Sequence, residues 1–243
     1  MTVPSLAETR PEAGPAAVFA AGLGKRFGRR WALAHFDLEL PAGGSLLVAG
    51  ANGSGKTTLL RLIAGLHRPT VGRLQVFGHD TVEERLDCRR RLTLVSHAGC
   101  LYDGLTPRET LRIWARLGGR SRSVSESEIE SLLGEAQLAA RADSLIDGFS
   151  AGMRKRLTLL RSRIERPRLL LLDEPFSALD VEGRSLVSGW IRGFTAAGGS
   201  LIIASHDLER TAPLCDRALI LESGQRSWSG VAEEAIAHRG DRA

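Results

Sequence analysis

The 243-residue sequence contains no long apolar run. No segment approaches the roughly 18 consecutive apolar residues that a membrane-spanning helix needs, so we expect a soluble or peripheral protein. The first 17 residues have no apolar core of the signal-peptide kind, and we expect 1–17 to form a loosely ordered tail. We also expect residues 239–243 to fray, and we find no internal repeat.

Cysteine and lysine are both scarce. Cys88, Cys100 and Cys215 form no C-x-x-C pair, which favours structural thiols in a reducing compartment. The formal net charge is +5, yet only three of the basic residues are lysines. Codon usage in a GC-rich genome explains this bias, and a basic face towards anionic lipid is the alternative. The basic cluster at 89–91 has no aromatic platform beside it, which argues against nucleic-acid binding.

The strongest pattern present is a glycine-rich stretch with the spacing G-x-x-x-x-G-K-[ST]. It follows an apolar strand predicted at Ser45–Ala49, and a segment with helical spacing of apolar residues follows it. Glycine lets the backbone approach phosphates closely, and the loop amides would point at them. Lys56 is expected to reach the β- and γ-phosphates, and the Thr57 hydroxyl to bind Mg²⁺. The predicted nucleotide-binding residues of this loop are Gly50, Ala51, Asn52, Gly53, Ser54, Gly55, Lys56, Thr57 and Thr58.

Two further apolar strands end in residues that suit catalysis. The strand predicted at 168–172 leads into Asp173 and Glu174, and the strand predicted at 200–204 leads towards His206. Ligands of an open α/β sheet lie at the carboxyl ends of its strands. We therefore predict Asp173 as a second Mg²⁺ ligand, Glu174 as the residue that activates the attacking water and His206 as a sensor of the γ-phosphate. The alternatives are a helix-capping carboxylate and a purely structural histidine.

The alternation of strands and helices predicts one α/β domain with a largely parallel sheet. Strand-like segments at 91–96 and 217–221 join those above. The region from about residue 101 to 165 is helical in pattern, and capping boxes are predicted at Thr106–Glu109 and Ser125–Glu128.

These motifs, in this order, resemble the ATP-binding cassette (ABC) family, the ATPase subunits of ABC transporters. The decisive element is similar to the family signature Leu-Ser-Gly-Gly-Gln: Ser150 and Gly152 match it, while Phe149, Ala151 and Met153 depart from it. A helix capped by Ser150 offers free amides to a phosphate. The resemblance implies that this phosphate belongs to ATP held by a second copy of the chain, so that two copies enclose two nucleotides.

The resemblance also implies the fold and two more site residues. The expected fold is that of a P-loop NTPase with a mostly parallel core sheet, an antiparallel β edge and an inserted α-helical subdomain at about 101–165. The nucleotide-binding domain would span residues 18–238. Asp180 ends a segment similar to the D-loop, which crosses between the two sites. Phe27 stands where the family stacks an aromatic ring on adenine, and a core Phe at a strand end is the alternative.

One departure bears on the transported substrate. His97 stands where most relatives carry Gln, at the start of the flexible loop that touches Mg²⁺ and the membrane subunit. Together with the Ser-Ala-Gly signature and the Glu-Pro-Phe after Asp173, it resembles the ATPase subunit of the cytochrome c maturation haem exporter. Met153 and the basic run after it are shared with ATPases of drug, antibiotic and polysaccharide exporters, which is the alternative. Imidazole is a poor ligand for Mg²⁺, so His97 would act through a water or in coupling.

The function implied is that of an ATPase, with ATP and Mg²⁺, that powers export through separate membrane subunits. It would lie as a peripheral protein on the cytoplasmic face of the inner membrane. A soluble cassette ATPase, such as an Fe–S assembly component, uses the same motifs and stays open as an alternative. Translation and DNA-repair cassette proteins usually carry two cassettes or a long coiled coil, and this sequence has one set of motifs. We expect no nucleic-acid partner.

Overall fold

The computed structural model describes residues 16–96, 101–117 and 124–240, and ten strands and eight α-helices lie within them. The strands are β1 Val18–Phe27, β2 Arg30–Leu40, β3 Ser45–Ala49, β4 Val71–Val76, β5 His79–Asp80, β6 Leu92–Val95, β7 Leu169–Asp173, β8 Ser200–Ser205, β9 Arg217–Glu222 and β10 Gln225–Val231. The α-helices are α1 Lys56–Ile63, α2 Arg85–Arg89, α3 Pro107–Leu117, α4 Glu126–Glu135, α5 Ala151–Glu165, α6 Val181–Ala196, α7 Leu208–Thr211 and α8 Glu234–Gly240. Short 3₁₀ turns occupy Ala139–Arg141, Ile146–Gly148 and Ala212–Leu214.

The strands form two sheets. A six-stranded sheet has the order β10-β9-β3-β8-β7-β6, and its strands are parallel except for β10, which pairs antiparallel with β9 at the edge. A four-stranded antiparallel sheet has the order β2-β1-β4-β5. The predicted fold class, with a mostly parallel core sheet and an antiparallel β edge, is confirmed.

The central strands of the parallel sheet are buried on both faces. In β7, Leu169 and Leu171 pack in the cluster that contains the apolar side of α1, while Leu170 and Leu172 pack in the cluster that contains the apolar side of α6. Successive side chains of a strand point to opposite faces, so a continuous apolar run suits a strand covered by helices on both sides. Because β3, β8 and β7 pair in parallel, their carboxyl ends lie at one edge of this buried sheet.

Three α-helices, α3, α4 and α5, and two of the short 3₁₀ turns lie in the described parts of the segment between residues 101 and 165. Side chains from α3, α4 and α5 form a third apolar cluster, separate from the two sheet clusters. Phe149, a departure from the family signature, is buried in this cluster, where an apolar residue is required. The Thr106–Glu109 capping box is formed in both directions, because each residue's amide donates to the other's side chain. The Ser125 hydroxyl caps α4 by accepting from the amide of Glu128 at 3.2 Å.

Element boundaries differ from the predictions by one or two residues. The strand predicted at 91–96 is shorter, β7 begins one residue later and includes Asp173, and β8 and β9 each extend one residue further. Ala17, expected in the N-terminal tail, is fully buried. Helix α8 runs to Gly240 and so enters the segment expected to fray. Within the described residues, no helix is both long and apolar enough to cross a membrane.

Candidate nucleotide-binding site

The glycine-rich loop connects the end of β3 to the start of α1, as predicted. Gly50 has a φ of 149°, and a Cβ built there would lie 2.4 Å from the carbonyl oxygen of Leu221. Gly55 has a φ of 114°, and its Cβ would lie 2.6 Å from the carbonyl oxygen of Ala32. Only glycine combines such dihedrals with such close backbone approach. The loop therefore folds as tightly as it does because these positions carry no side chain.

The loop is built to receive an anion. Gly55 caps α1 without a side chain, and no acidic residue occupies the first turn. The first amides of a helix have no partner within it and carry a partial positive charge, which favours phosphate. The hydroxyl of Ser54 is buried and, among the described residues, has no hydrogen-bond partner. An unpaired buried donor at the loop is satisfied by a phosphate oxygen, so the residues present fit a nucleotide phosphate.

Lys56 lies over the loop. Its Nζ donates to the carbonyl oxygen of Gly50 at 2.7 Å and to that of Ala51 at 3.1 Å. It also lies 4.0 Å from Oε1 of Glu174. The ammonium is thus held between the loop and the carboxylates at the end of β7, where a phosphate bound by the loop amides would meet it.

Thr57 and Asp173, the two predicted Mg²⁺ ligands, are in direct contact. The Thr57 hydroxyl donates to Oδ2 of Asp173 at 2.9 Å. Asp173 is the last residue of β7 and is buried. A carboxylate and a hydroxyl are hard oxygen ligands of the kind that Mg²⁺ prefers. Their chemistry and proximity fit the metal that was expected.

Glu174 is held in a constrained conformation. Its φ is 49°, an uncommon value for a residue with a side chain, and its amide donates to the carbonyl oxygen of Ala204 in β8 at 2.9 Å. The carboxylate accepts from the Ser205 hydroxyl at 3.2 Å and from the amide of His206 at 3.1 Å. The Nδ1 atom of His206 lies 2.9 Å from the same carboxylate. A carboxylate only accepts, so this contact requires the tautomer with the proton on Nδ1.

The structure therefore brings five of the predicted residues into one cluster. Lys56 and Thr57 begin α1, the helix after β3, while Asp173 and Glu174 lie at the end of β7 and His206 follows β8. These three strands are neighbours in the parallel sheet. The direct pairing of Glu174 with His206 was not part of the sequence interpretation, which gave the two residues separate roles.

A second group of predicted residues lies at two helix N-termini. The Ser150 hydroxyl caps α5 by accepting from the amide of Met153 at 3.2 Å. Asp180 caps α6 by accepting from the amide of Gly183 at 2.8 Å. Gly152, in the first turn of α5, lies against the segment before α6, because a Cβ built there would lie 3.1 Å from the carbonyl oxygen of Ala178.

Phe27 lies at the end of β1 and is 47% exposed, which is not the burial of a core residue. Its ring packs edge-on against the ring of His67 at a centroid distance of 5.4 Å, and the Nζ of Lys25 lies 5.1 Å from its centroid. Lys25 and burial both lower the pKa of His67, with burial the larger cause. His97, the predicted coupling residue, lies outside the described residues.

Sequence reasoning missed three residues around the cluster. The Ser205 hydroxyl holds Glu174, and its place directly before His206 was the available signal. The amide of Gly224 donates to the carbonyl oxygen of Ser54 at 3.0 Å, so the β9–β10 turn supports the phosphate loop. Lys155 is buried beside the end of β7, and burial lowers its pKa to about 8 against the opposing effect of Asp173 and Glu174. The sequence of the basic run 154–156 gives no sign that Lys155 is the buried residue among the three.

Comparison with known proteins identifies the family. The sequence profile of ABC transporters matches residues 33–177, which is more than half of the chain. The chain belongs to the ABC transporter family. The ABC ATPase is 34% identical over 224 residues to a daunorubicin resistance ATP-binding protein of Streptomyces coeruleorubidus, covering 92% of this chain and 71% of that protein. It is also 34% identical over 216 residues to a Nod factor export ATP-binding protein I of Rhizobium johnstonii, with 89% and 70% coverage.

Solved structures agree on the fold. An ATP-binding subunit of an ABC transporter superimposes with a TM-score of 0.82 at 26% identity, covering 92% of this chain and 93% of that one. A dimeric ATP-binding cassette in a post-hydrolysis state, bound to ADP and Pi, gives a TM-score of 0.81 at 22% identity, with 88% and 98% coverage. The chain is thus an ATP-binding subunit of the ABC transporter type and an ATPase. The names of its relatives concern drug resistance and Nod factor export, and they give the haem-exporter expectation no support.

Proposed function

We propose that the ABC ATPase hydrolyses ATP in a dimer of two copies and thereby powers export through separate membrane subunits. The observation that carries the enzymatic part is the single cluster of Lys56, Thr57, Asp173, Glu174 and His206 beside the glycine-rich loop. The proposed nucleotide-binding domain spans 18–238 with its helical subdomain at about 101–165.

Residues of the loop bind the triphosphate in this proposal. The loop amides and the buried Ser54 hydroxyl contact phosphate oxygens, and Lys56 moves from the carbonyl oxygens of Gly50 and Ala51 to the β- and γ-phosphates. Thr57 and Asp173 would hold Mg²⁺, which neutralises phosphate charge when bound.

Glu174 and His206 carry the hydrolytic step. Glu174 orients the attacking water and accepts its proton, because its carboxylate directly follows β7 and lies 4.0 Å from the ammonium of Lys56. The His206 contact fixes the direction of that carboxylate, and in this proposal the imidazole also contacts the γ-phosphate. A base aligned in advance of substrate binding loses little rate to reorientation.

In the proposed dimer, each chain contributes groups to the nucleotide that its partner holds. Ser150 and Gly152 lie at the start of α5, whose free amides suit the γ-phosphate of ATP held by the partner. Asp180 orders the segment that contacts Gly152, and half-exposed Phe27 stacks on adenine. The dimeric state of a solved cassette of the same fold supports this arrangement.

A membrane partner follows from the family and from exposed apolar side chains among the described residues. Tyr102 is 72% exposed and Leu86 69% exposed, and large apolar side chains at a surface favour a contact with another protein. We propose His97 and the loop after it as the coupling element. The ABC ATPase would then lie on the cytoplasmic face of the inner membrane as a peripheral subunit.

The export substrate is proposed from the relatives. The relatives are named for daunorubicin resistance and for Nod factor export, which favours a drug or a Nod-factor-like compound over haem as the export substrate. A strain lacking the gene should become sensitive to an anthracycline and keep its normal content of c-type cytochromes. Loss of c-type cytochromes with unchanged drug sensitivity would restore the haem interpretation instead.

Equilibrium binding of ATP with Mg²⁺ tests the loop. Lys56→Ala should lower the affinity at least about tenfold, because charge-assisted contacts to phosphate contribute about 1.5–3 kcal/mol. Arg61→Ala removes an exposed cation from the same helix and should leave the affinity unchanged. Equal affinities of wild type and Lys56→Ala would show that the nucleotide binds elsewhere.

Co-purification from membranes of the native host tests the transport part. Recovery of an integral membrane protein that stimulates ATP hydrolysis supports the transporter proposal. A fully soluble chain with full activity and no membrane partner would favour the cassette ATPase of the Fe–S assembly type.

A further inference from the structure

Lys155 is a buried lysine that the roles above leave unexplained. It lies in the second turn of α5 and is only 6% exposed. Its Nζ points at the end of β7 and donates to the main-chain carbonyl oxygen of Asp173 at 3.4 Å. Asp173 and Glu174 both attract the ammonium, as their opposition to the effect of burial on its pKa shows.

Packing alone does not account for a charge at this position. Removing an ammonium from water costs several kcal/mol, and lysines are almost never fully buried without a partner. An unbranched apolar side chain of similar length would fill the same space without that cost. The partner of Lys155 is the main-chain carbonyl oxygen of Asp173, and the charges of Asp173 and Glu174 partly offset the effect of burial on its pKa. These two residues are the ones proposed to hold Mg²⁺ and to activate water.

Lys155 also connects two parts of the site. Ser150 caps the first turn of α5, Gly152 packs against the carbonyl oxygen of Ala178, and Lys155 reaches Asp173 one turn later. The same short stretch of helix therefore contacts the segment before Asp180 and the end of β7, directly before Glu174. A displacement of α5 moves the ammonium relative to the carboxylates.

We propose that Lys155 is a positioning residue for ATP hydrolysis, which holds the Asp173–Glu174 end of β7 in register with α5. This inference rests on the proposed role of Glu174 as the base. The cation attracts the carbonyl oxygen of Asp173 and the two carboxylates, and so resists rotation of the peptide that follows Asp173. That peptide leads into Glu174, whose φ of 49° is maintained only by its surroundings. Lys155 itself touches neither the nucleotide nor the water.

The test compares Lys155→Met with Lys155→Arg in the full chain. Lys155→Met keeps the length of the side chain and removes the charge, and it should lower kcat at least about tenfold, since a displacement of about 1 Å costs a reaction about 10²-fold. The ATP affinity should stay within about twofold, because the loop contacts are untouched. Lys155→Arg restores a cation and should recover at least half of the loss in kcat on a logarithmic scale.

Thermal unfolding separates positioning from folding. Lys155→Met removes the cation and leaves the carboxylates that face it, which lowers stability. The rates are therefore compared at a temperature where the melting curves show wild type and variant fully folded, and the loss of kcat should persist there. Thr158→Val is the matched control, because Thr158 is a buried polar residue on the same helix whose hydroxyl contacts only the backbone of Arg154 in the described structure. It should keep the wild-type kcat. A kcat of Lys155→Met equal to that of wild type, or one that falls only in step with Tm, would overturn the proposal.

A double variant distinguishes failure of the positioning proposal for Lys155 from failure of the proposed role of Glu174. In the Glu174→Gln background, Lys155→Met should reduce the residual turnover no further, since groups acting as one unit are not additive. A further tenfold loss would mean that Lys155 does not act through Glu174. If Glu174→Gln itself retains the wild-type kcat, the proposed role of Glu174 fails, and the positioning proposal falls with it.

Discussion

The substitution Glu174→Gln isolates the proton-accepting role of the carboxylate from its place in the structure. The amide oxygen of Gln can accept from the His206 amide and from its Nδ1 proton, as the Glu174 carboxylate does at 3.1 and 2.9 Å. The Ser205 hydroxyl, now 3.2 Å from the carboxylate, can rotate to accept from the amide nitrogen. Shape and hydrogen bonding are therefore retained, and only the negative charge and the basicity are lost.

The expected loss of turnover is large. General-base catalysis contributes about 10²- to 10⁴-fold, which corresponds to about 2.7–5.4 kcal/mol in the activation free energy. ATP binding should not weaken, because Glu174 is not a phosphate ligand. It should tighten slightly, since the substitution removes a negative charge 4.0 Å from Lys56 and frees that ammonium for the phosphates. A nucleotide-bound dimer should accumulate as a consequence.

Phosphate release, ATP binding and size-exclusion chromatography in the presence of ATP and Mg²⁺ check this prediction together. The variant should show a kcat reduced at least about 100-fold, unchanged or tighter binding and a doubled mass. Glu233→Gln, which neutralises an exposed carboxylate between β10 and α8, is the control and should match wild type. Hydrolysis by Glu174→Gln at the wild-type rate would refute the assignment of the base and remove the reason to expect a trapped dimer.

Three further predictions concern other parts of the site. Gly50→Ala should lower the free energy of unfolding by about 1–3 kcal/mol, because the new Cβ would lie 2.4 Å from the carbonyl oxygen of Leu221. In a thermal melt, Gly53→Ala should destabilise the chain less, because its Cβ would meet no atom within 4 Å. Ser150→Ala removes a helix cap worth about 1 kcal/mol and should lower kcat while single-chain ATP binding is retained; an unchanged kcat contradicts the partner role. His97→Ala should reduce the stimulation of ATP hydrolysis by the membrane partner more than it reduces ATP binding, and the reverse order in a reconstituted complex would remove His97 from coupling.

The sequence by itself determined the local features. The strand Ser45–Ala49 has the predicted bounds, and the Thr106–Glu109 capping box is formed as predicted. The glycine loop could be predicted because its spacing, the strand before it and the helix after it lie within a few residues of one another. Local patterns of this kind depend on backbone preference and on the period of apolar residues, which neighbouring positions alone define.

Tertiary structure decided which of these features meet. The strand order puts β8 between β3 and β7, and only this pairing joins His206 and Ser205 to Glu174, about thirty residues earlier in the chain. The same packing buries Lys155 against Asp173 and leaves Phe27 half exposed at the end of β1. The positive φ of Glu174 also has a tertiary origin, because its amide is tied to β8. Contacts between residues far apart in sequence arise from the burial of several elements at once, and no single segment encodes them.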